Sequence, residues 1–168
     1  MTEQESFFLD LVREYDARLR RICRIYADDP ESRKDLYQDI LMQVWRTLPS
    51  FAGKSSPGTW LYRVALNTAL DSARHRTVRS RAREREEVAL RGQPPQRADE
   101  RVERTEAMER LYGAIGRLDE IDRALVLLHL DERSYREIAD VLGISESNVG
   151  VRLHRAKARL ARWLEEAA

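Results

Sequence analysis

Apolar residues recur three and four positions apart along most of this chain, and that spacing constrains the fold more than any other feature. One such segment runs from about Ser6 to Ala27 and the next from about Glu31 to Leu48. Each places its apolar residues on one face of an amphipathic helix. The seven glycines and five prolines are too few for an all-β sandwich or barrel, which turns every eight to twelve residues. We therefore expect an all-α fold.

A break near the middle divides the chain into two small helical domains. The string GQPPQ at 92–96 ends any regular structure, and the preceding RSRAREREEVALR could form a helix but has no continuous apolar face to bury. We predict a first domain at 1–76, a flexible linker at 77–102 and a second domain at 103–168. In the first domain a third helix is expected to begin with Thr59 as its N-cap and to end near Arg76. In the second domain we predict helices at 103–116, 120–130, 135–142 and 146–164.

The composition excludes several classes of protein. No run of about eighteen apolar residues is present, and the first sixteen residues lack the charged-then-apolar pattern of a signal peptide. The single cysteine, Cys23, excludes an internal disulfide framework. The three histidines fall on separate predicted helices, and no metal-ligand spacing, phosphate-binding glycine loop or nucleophile motif occurs. We expect a cytoplasmic protein that is not an enzyme, does not insert into a membrane, and holds no metal or cofactor.

The segment 133–160 has the pattern of a helix-turn-helix. Ser134 and Glu137 form a capping box, and Gly143 stands where the chain leaves the helix and a positive φ is favoured. The following helix combines a buried stripe with a basic face, since 151–162 contains no acidic residue. Such a helix suits the major groove of DNA, although an ordinary amphipathic helix with a solvated basic face fits the same pattern. The predicted DNA contacts are Ser145, Ser147, Asn148, Gly150, Val151, Arg152, His154, Arg155, Lys157 and Arg159.

Two longer strings carry a resemblance to a known family. DLYQDILMQVWRTLPSFAGKSSPGTWLYRVALNTALDSAR resembles region 2 of the extracytoplasmic-function (ECF) group of bacterial sigma-70-type sigma factors. LDEIDRALVLLHLDERSYREIADVLGISESNVGVRLHRAKARL is similar to their region 4. The two strings stand in the family's order with a linker between them. The most specific part is the D-L-x-Q-[DE] pattern with a tryptophan six residues later, followed by T-W-L-Y-R-x-A-x-N.

The resemblance implies a subunit that binds bacterial core RNA polymerase and recognises two promoter elements. In the family, the second helix of region 2 docks on the clamp helices of the β′ subunit, and region 4 lies at the β flap and reads the upstream, minus-35 element. A simpler interpretation of the docking residues is that Trp45 is half-buried core and the acids are solvated. The residues to which the resemblance assigns polymerase docking are Asp35, Gln38, Asp39, Met42, Gln43, Trp45 and Arg46.

Region 2 of the family opens the downstream, minus-10 element. Here that role would fall on one face of the third helix and on the loop before it, which in the family forms a pocket for a flipped non-template base. Trp60 also fits a packing role at the start of the helix. The resemblance assigns downstream-element contacts to Phe51, Lys54, Ser55, Ser56, Trp60, Arg63, Asn67, Asp71 and Arg74.

The linker length and the family pattern set two further expectations. About thirty coil residues have a relaxed span near 30 Å, whereas promoter elements one and a half to two duplex turns apart are separated by roughly 50–70 Å, so polymerase must hold the linker extended. By resemblance we also expect an anti-sigma factor as a partner. The alternative function is a helix-turn-helix regulator that binds an operator alone, and a helical adaptor that masks other proteins is a third. The string SNVGVRLHR departs from the family's usual recognition-helix sequence, so no promoter sequence is inferred.

Overall fold

The computed structural model of the chain describes residues 1–86 and 102–168, so most of the linker predicted at 77–102 lies outside it. All regular structure in these two stretches is helical, and the all-α prediction is confirmed. The helices are α1 (Glu3–Tyr26), α2 (Pro30–Thr47), a 3₁₀ turn (Leu48–Ser50), α3 (Pro57–Glu86), α4 (Val102–Gly116), α5 (Glu120–Leu130), α6 (Tyr135–Leu142) and α7 (Glu146–Glu166).

The start of α3 differs from the prediction. Thr59 was expected as the N-cap, but the helix begins two residues earlier at Pro57, and the Ser56 hydroxyl accepts a hydrogen bond from the Thr59 amide at 3.1 Å. Proline suits the first helical position because the N–H that it lacks would have no partner there in any case. Thr59 is itself 9% exposed, so it packs inside the first turn.

The other end of α3 also differs, because the helix continues to Glu86 instead of ending near Arg76. The string from Thr77 to Glu86 contains no glycine or proline, and seven of its ten residues are arginine (four), glutamate (two) or alanine (one). These residues have high helix propensity, so the absence of an apolar face did not end the helix. The first part of the predicted linker is therefore helical.

Helices α1, α2 and α3 pack together as an N-terminal bundle. Its core is formed by fully buried aliphatic residues such as Leu19, Ile40 and Leu61. The first turn of α3 lies directly on α1: a Cβ built on Gly58 would fall 2.1 Å from the Tyr15 hydroxyl. Any larger residue at position 58 would require the Tyr15 side chain to move, so this contact holds the first turn of α3 close against the middle of α1.

Helices α4 to α7 form a C-terminal bundle around Leu125, Leu128, Ile138 and Leu153, each at most 1% exposed. The predicted capping box of α6 is present, and Gly143 adopts a φ of 68° at the turn into α7. The helix-turn-helix prediction is thus confirmed in geometry, with α6 and α7 as its two helices.

The two bundles also pack against each other, with α1 lying on α4 and α5, and α3 lying on α6. The described part of the chain contains no helix with both the length and the apolar character needed to cross a membrane.

Candidate nucleic-acid and polymerase interface

The exposed face of α2 carries the residues assigned to polymerase docking. Asp35, Gln38, Asp39 and Arg46 are all exposed, Gln43 is half-buried, and neither carboxylate forms an ion pair within the described residues. Met42 is 59% exposed and Trp45 41% exposed, so two large apolar side chains one helical turn apart lie on this surface. The face therefore combines acidic and apolar groups that are free to contact another molecule.

Trp45 is partly packed against the bundle and partly exposed, which is compatible with both interpretations of this residue. Its ring packs edge-on against Phe8 of α1, with centroids 5.3 Å apart, yet the residue is 41% exposed. One edge of the indole is thus fixed by the N-terminal bundle while the other is open beside Met42. A rigidly held, half-exposed aromatic is a typical anchor of protein interfaces.

The face of α3 predicted for the downstream element is formed by Arg63, Asn67, Asp71 and Arg74, which we call the α3 strip. All four are exposed, whereas the residues on the opposite side of α3 are buried or half-buried. The inward set is Tyr62, Ala65, Leu66, Ala69 and Ala73.

The loop before α3 holds an aromatic row that the sequence pattern only partly revealed. Phe51 lies against Trp60, with ring centroids 5.1 Å apart, and Phe7 of α1 stacks on Phe51 at 6.3 Å with 14° between the ring planes. Phe7 was not predicted as part of the site. The adjacent pair Phe7 and Phe8 could have indicated this contact, because neighbouring residues on a helix point in different directions. Here the Phe7 ring contacts the loop and the Phe8 ring contacts Trp45.

The polar residues of this loop differ in exposure and in hydrogen bonding. Lys54 is exposed, and Ser55 is half-buried. The Ser56 hydroxyl is already used, since it accepts from the Thr59 amide and lies 3.0 Å from the Thr59 hydroxyl. Gly53 has a φ of 69°, which makes the turn between Phe51 and Lys54. Of the predicted loop contacts, Lys54 and Ser56 are exposed while Phe51 and Ser55 are half-buried. Because the Ser56 hydroxyl is engaged by Thr59, Lys54 is the loop contact most available to DNA.

The recognition helix α7 presents most of its predicted contacts to solvent. Ser145 caps the helix by accepting from the Asn148 amide at 3.1 Å, and a Cβ on Gly150 would meet only the Tyr135 ring at an ordinary 3.5 Å. Packing within the chain therefore does not require glycine at 150. The exposed set is Ser145, Ser147, Asn148, Val151, His154, Arg155, Lys157 and Arg159.

Arg152 has a different environment from its neighbours on α7. Its Nε donates to Asp122 Oδ1 at 2.8 Å and its terminal nitrogen to Asp119 Oδ1 at 3.1 Å, both at the start of α5. Its side chain is 27% exposed. The guanidinium therefore ties α7 to α5, a role that the helical pattern of α7 alone could not reveal.

Burial and charge act in opposite directions on the two acids that hold Arg152. Burial raises the pKa of Asp122, and the nearby Asp119 carboxylate adds to the rise while Arg152 opposes it. Burial also acts to raise the pKa of Asp119, but hydrogen bonds from the Asp122 amide and the charge of Arg152 outweigh it, so that pKa is lowered. The ionised form of Asp122 is therefore disfavoured in the fold, and the ion pair with Arg152 matters more for Asp122 than for Asp119.

Two members of the α3 strip contact the C-terminal bundle. Arg63 donates to the Asp140 carbonyl of α6 at 2.6 Å, and Arg74 donates to the Glu120 carboxylate of α5 at 3.0 Å. Beneath them, the Tyr62 hydroxyl donates to Asp131 at 2.8 Å in a buried position. Sequence patterns within each domain could not have predicted these contacts, because they join residues of different domains.

Among residues 1–86 and 102–168, no group of three or more histidine, cysteine and acidic residues is placed to hold a metal ion. Cys23 is buried, and burial raises the pKa of its thiol to about 11. The exposed features that remain are the α2 face, the α3 strip with its aromatic row, and α7.

Comparison with known proteins gives two family matches and a set of similar curated proteins. Residues 11–79 match the model of sigma-70 region 2, and residues 108–160 match the model of sigma-70 region 4. The RNA polymerase sigma factor YlaC of Bacillus subtilis is 32% identical over 152 residues, covering 90% of this chain and 88% of that protein. The ECF RNA polymerase sigma factor SigM of Mycobacterium tuberculosis is 30% identical over 158 residues, covering 94% of this chain and 76% of that protein.

Two solved structures share the fold. One is CnrH in complex with the cytosolic domain of CnrY, with a TM-score of 0.72 and 24% identity, covering 98% of this chain and 91% of that one. The other is the sigma factor RpoE of Bartonella quintana in complex with the anti-sigma factor NepR, with a TM-score of 0.62 and 22% identity, covering 93% of this chain and 97% of that one.

Proposed function

This chain belongs to the ECF group of sigma-70-type RNA polymerase sigma factors, and from this we propose that its two bundles have different functions. The protein is a promoter-specificity subunit that binds core RNA polymerase and directs transcription initiation. In our proposal, α2 docks on polymerase, the α3 strip and its loop open the downstream element, and α7 recognises the upstream element. The cytoplasm, where polymerase acts, is the proposed location.

The observation that carries this proposal is the exposed acidic and apolar face of α2. Asp35 and Asp39 are one helical turn apart and Met42 continues the same side, so the three form a single contact surface with Trp45 at its edge. We propose that the β′ clamp helices bind here, with basic side chains on the polymerase meeting the two carboxylates. An apolar centre flanked by charge is the usual anatomy of a protein interface.

The docking proposal is tested by reversing the two charges. The variant Asp35→Lys/Asp39→Lys is expected to lose polymerase binding in a pull-down or fluorescence assay while its far-UV circular dichroism stays that of the wild type. The matched control is Asp10→Lys/Glu14→Lys, which reverses two exposed acids with the same four-residue spacing on α1. Binding by the α2 variant at the level of this control would refute the assignment.

For the downstream element, we propose that Arg63 and Arg74 hold the DNA backbone while Asn67 hydrogen-bonds an unpaired base. The aromatic row beside them offers π-faces on which unstacked bases can lie, and such stacking is worth about 1–3 kcal/mol per base. Trp60 and Phe51 form the inner part of that row. Replacement of Arg63 and Asn67 is expected to impair opening more than closed-complex binding.

For the upstream element, we propose that the first turns of α7 enter the major groove. Asn148 and Val151 lie in those turns and are exposed, whereas Arg155 and Arg159 lie further along and suit phosphate contacts. Arg152 acts at least through its bonds to Asp119 and Asp122, which fix the orientation of α7.

The complete activity is tested with purified protein, bacterial core RNA polymerase and a library of random promoter-length DNA. We expect initiated transcripts that depend on this protein and arise from sites sharing two spaced motifs. A protein that binds duplex DNA alone but never joins polymerase would instead be a helix-turn-helix regulator.

The two similar solved structures each contain a second protein: CnrH is in complex with the cytosolic domain of CnrY, and the sigma factor RpoE is in complex with the anti-sigma factor NepR. We propose by that likeness that an anti-sigma factor also binds this chain. Co-purification of a partner that prevents polymerase binding is the expected observation.

A further inference from the structure

We propose that a cleft between α1 and α2 binds a small molecule that carries two or more linked phosphate groups. This α1–α2 cleft has a volume of about 890 Å³ and is also bordered by Tyr112 of α4. Ligand sites usually measure about 300–1,000 Å³, so the cleft has room for a molecule the size of a nucleotide. Among the described residues none of α3 or α7 lines it, so the cleft is separate from the surfaces assigned above to DNA, and the inference does not rest on the proposed function.

The lining of the α1–α2 cleft is strongly cationic. Five of its twelve described lining residues are arginine or lysine, and none is acidic. Arg20, Arg21 and Arg24 fall on one side of α1. Arg33 and Lys34 lie in the first two turns of α2. Each helix thus turns neighbouring cations toward the same space.

Ion pairs neutralise only part of this charge. The three α1 arginines have carboxylate partners that do not line the cleft. Arg33 donates to the backbone carbonyls of Ala27 at 3.0 Å and Asp28 at 3.2 Å, and Lys34 is exposed. Among the described residues no carboxylate is within ion-pairing distance of Arg33 or Lys34. Two of the five positive charges therefore lack an ion pair, which a multiply charged anion would supply.

Arg20 is held in place on the α1 side of the cleft. Its Nε donates to Asp16 at 2.9 Å, and its guanidinium carbon lies 4.6 Å from the centre of the Tyr37 ring. The Tyr37 hydroxyl donates to the same carboxylate, so one acid fixes both side chains. Because a guanidinium has five N–H donors, the bond to Asp16 leaves donors on the terminal nitrogens for phosphate oxygens.

The chemistry of the cleft favours linked phosphates over a single small anion. Guanidinium groups bind phosphate oxygens through pairs of parallel hydrogen bonds, and cations from two helices can each engage a different phosphate of one chain. Leu41 and the half-buried rings of Tyr37 and Tyr112 add an apolar border, which suits the base of a nucleotide. A nucleoside triphosphate and an inorganic polyphosphate share the phosphate chemistry, and the experiment separates them.

The experiment is isothermal titration calorimetry of the full 168-residue chain at low salt without divalent cations, with tripolyphosphate, ATP and adenosine as separate probes. We expect tripolyphosphate and ATP to bind, with an affinity that falls as salt rises because ions screen exposed charges. Tighter binding of ATP would identify a nucleotide as the ligand, whereas equal binding would identify the phosphate chain itself, and either result supports the proposal. Absence of binding by both phosphate compounds at about 1 mM, or adenosine binding as tightly as ATP, would overturn it.

The location of the site is tested with Arg33→Gln/Lys34→Gln, which removes the two cations that lack an ion pair. The affinity for tripolyphosphate is expected to fall at least about tenfold, since hydrogen bonds to charged groups contribute at least that much. Because Arg33 also bonds the turn between α1 and α2, Lys34→Glu is the second variant. It changes only an exposed side chain and should weaken binding to a similar degree. Circular dichroism establishes that each variant is folded.

The matched control is Arg155→Gln/Arg159→Gln, which removes two exposed cations of α7. It changes the net charge as much as the α2 double variant does and should bind tripolyphosphate like the wild type. If this control loses as much affinity as the α2 double variant, or if both α2 variants bind like the wild type, the cleft is not the site and the proposal is wrong. These measurements use neither polymerase nor promoter DNA, so their failure is distinguishable from failure of the proposed function.

Discussion

Replacement of Arg152 by alanine is expected to destabilise the C-terminal bundle, and the reason lies in α5. Asp122 is 6% exposed, and its partner in the described structure is the Nε of Arg152 at 2.8 Å. A hydrogen bond to a buried charged group contributes about 1.5–3 kcal/mol. The second bond reaches Asp119, whose side chain is 57% exposed, and adds about 0.2–1 kcal/mol after solvent screening. The Arg152→Ala variant should therefore lose about 2–4 kcal/mol in the free energy of unfolding.

This loss should depend on pH with a definite sign. Because burial raises the pKa of Asp122, that group supports the folded state when protonated and loses this contribution as pH rises through its folded pKa. Removal of Arg152 takes away an influence that lowers this pKa, so ionised Asp122 becomes more costly. The difference between variant and wild type should be largest near neutral pH and shrink as pH falls through the raised pKa of Asp122, because the protonated carboxyl does not need the arginine.

The assay is urea unfolding at several pH values, followed by circular dichroism. The double variant Arg152→Ala/Asp122→Asn removes the unpaired charge and should recover to within about 1 kcal/mol of wild type. If Arg152 serves only to orient α7, this double variant keeps the wild-type preference for upstream-element sequences in transcription from two-element promoters. That is the result we expect. Loss of preference at one base pair, worth about 1–3 kcal/mol, would show instead that Arg152 reads DNA. A single-variant loss under 0.5 kcal/mol would refute the stability argument.

Two other substitutions test the geometry around the loop. The variant Gly58→Ala forces a Cβ into the Tyr15 hydroxyl and should lower the free energy of unfolding in urea by about 1–3 kcal/mol. The control is Gly113→Ala, which has open space at its Cβ. Equal effects of the two variants would count against the close contact. The variant Phe7→Ala shortens the aromatic row and should reduce promoter opening about tenfold, as measured by 2-aminopurine fluorescence. Leu9→Ala, at an exposed position on the same helix, should leave opening unchanged, and opening unaffected by loss of the Phe7 ring would exclude that ring from the site.

The helices could be predicted from the sequence because their signals are local. The spacing of apolar residues predicted α1 and α2 as amphipathic helices, and Ser134 and Gly143 marked the two ends of α6 through contacts within a few residues. The same locality explains the errors at α3. Thr59 and Ser56 are both good capping residues, and the choice between them was decided by Pro57 and by burial of Thr59 against the bundle.

The contacts that could not be predicted join residues far apart in the chain. Arg152 looked like its exposed neighbours on α7, and only the position of α5 shows that Asp122 holds it. Asp131 and Tyr62 are 69 positions apart. Each alone is consistent with an ordinary structural role, Asp131 as an acid at a helix end and Tyr62 as a core aromatic. A pattern within one helix gives the direction of a side chain but not the identity of what it meets.

The two faces of α3 have different environments, and this explains why their residue types differ. The inward face must fill the core of the N-terminal bundle, as Ala65 and Ala69 do at 0% exposure, so it is restricted to small or apolar groups. The outward face carries long cationic side chains with rotatable stems, and Arg63 and Arg74 here contact a carbonyl and a carboxylate of the other bundle. Oxygen atoms of DNA phosphates offer the same kind of acceptor. The promoter contacts proposed for Arg63 and Arg74 would therefore use the same guanidinium groups that here bond the other bundle, so these two contacts would have to break before the arginines could hold DNA.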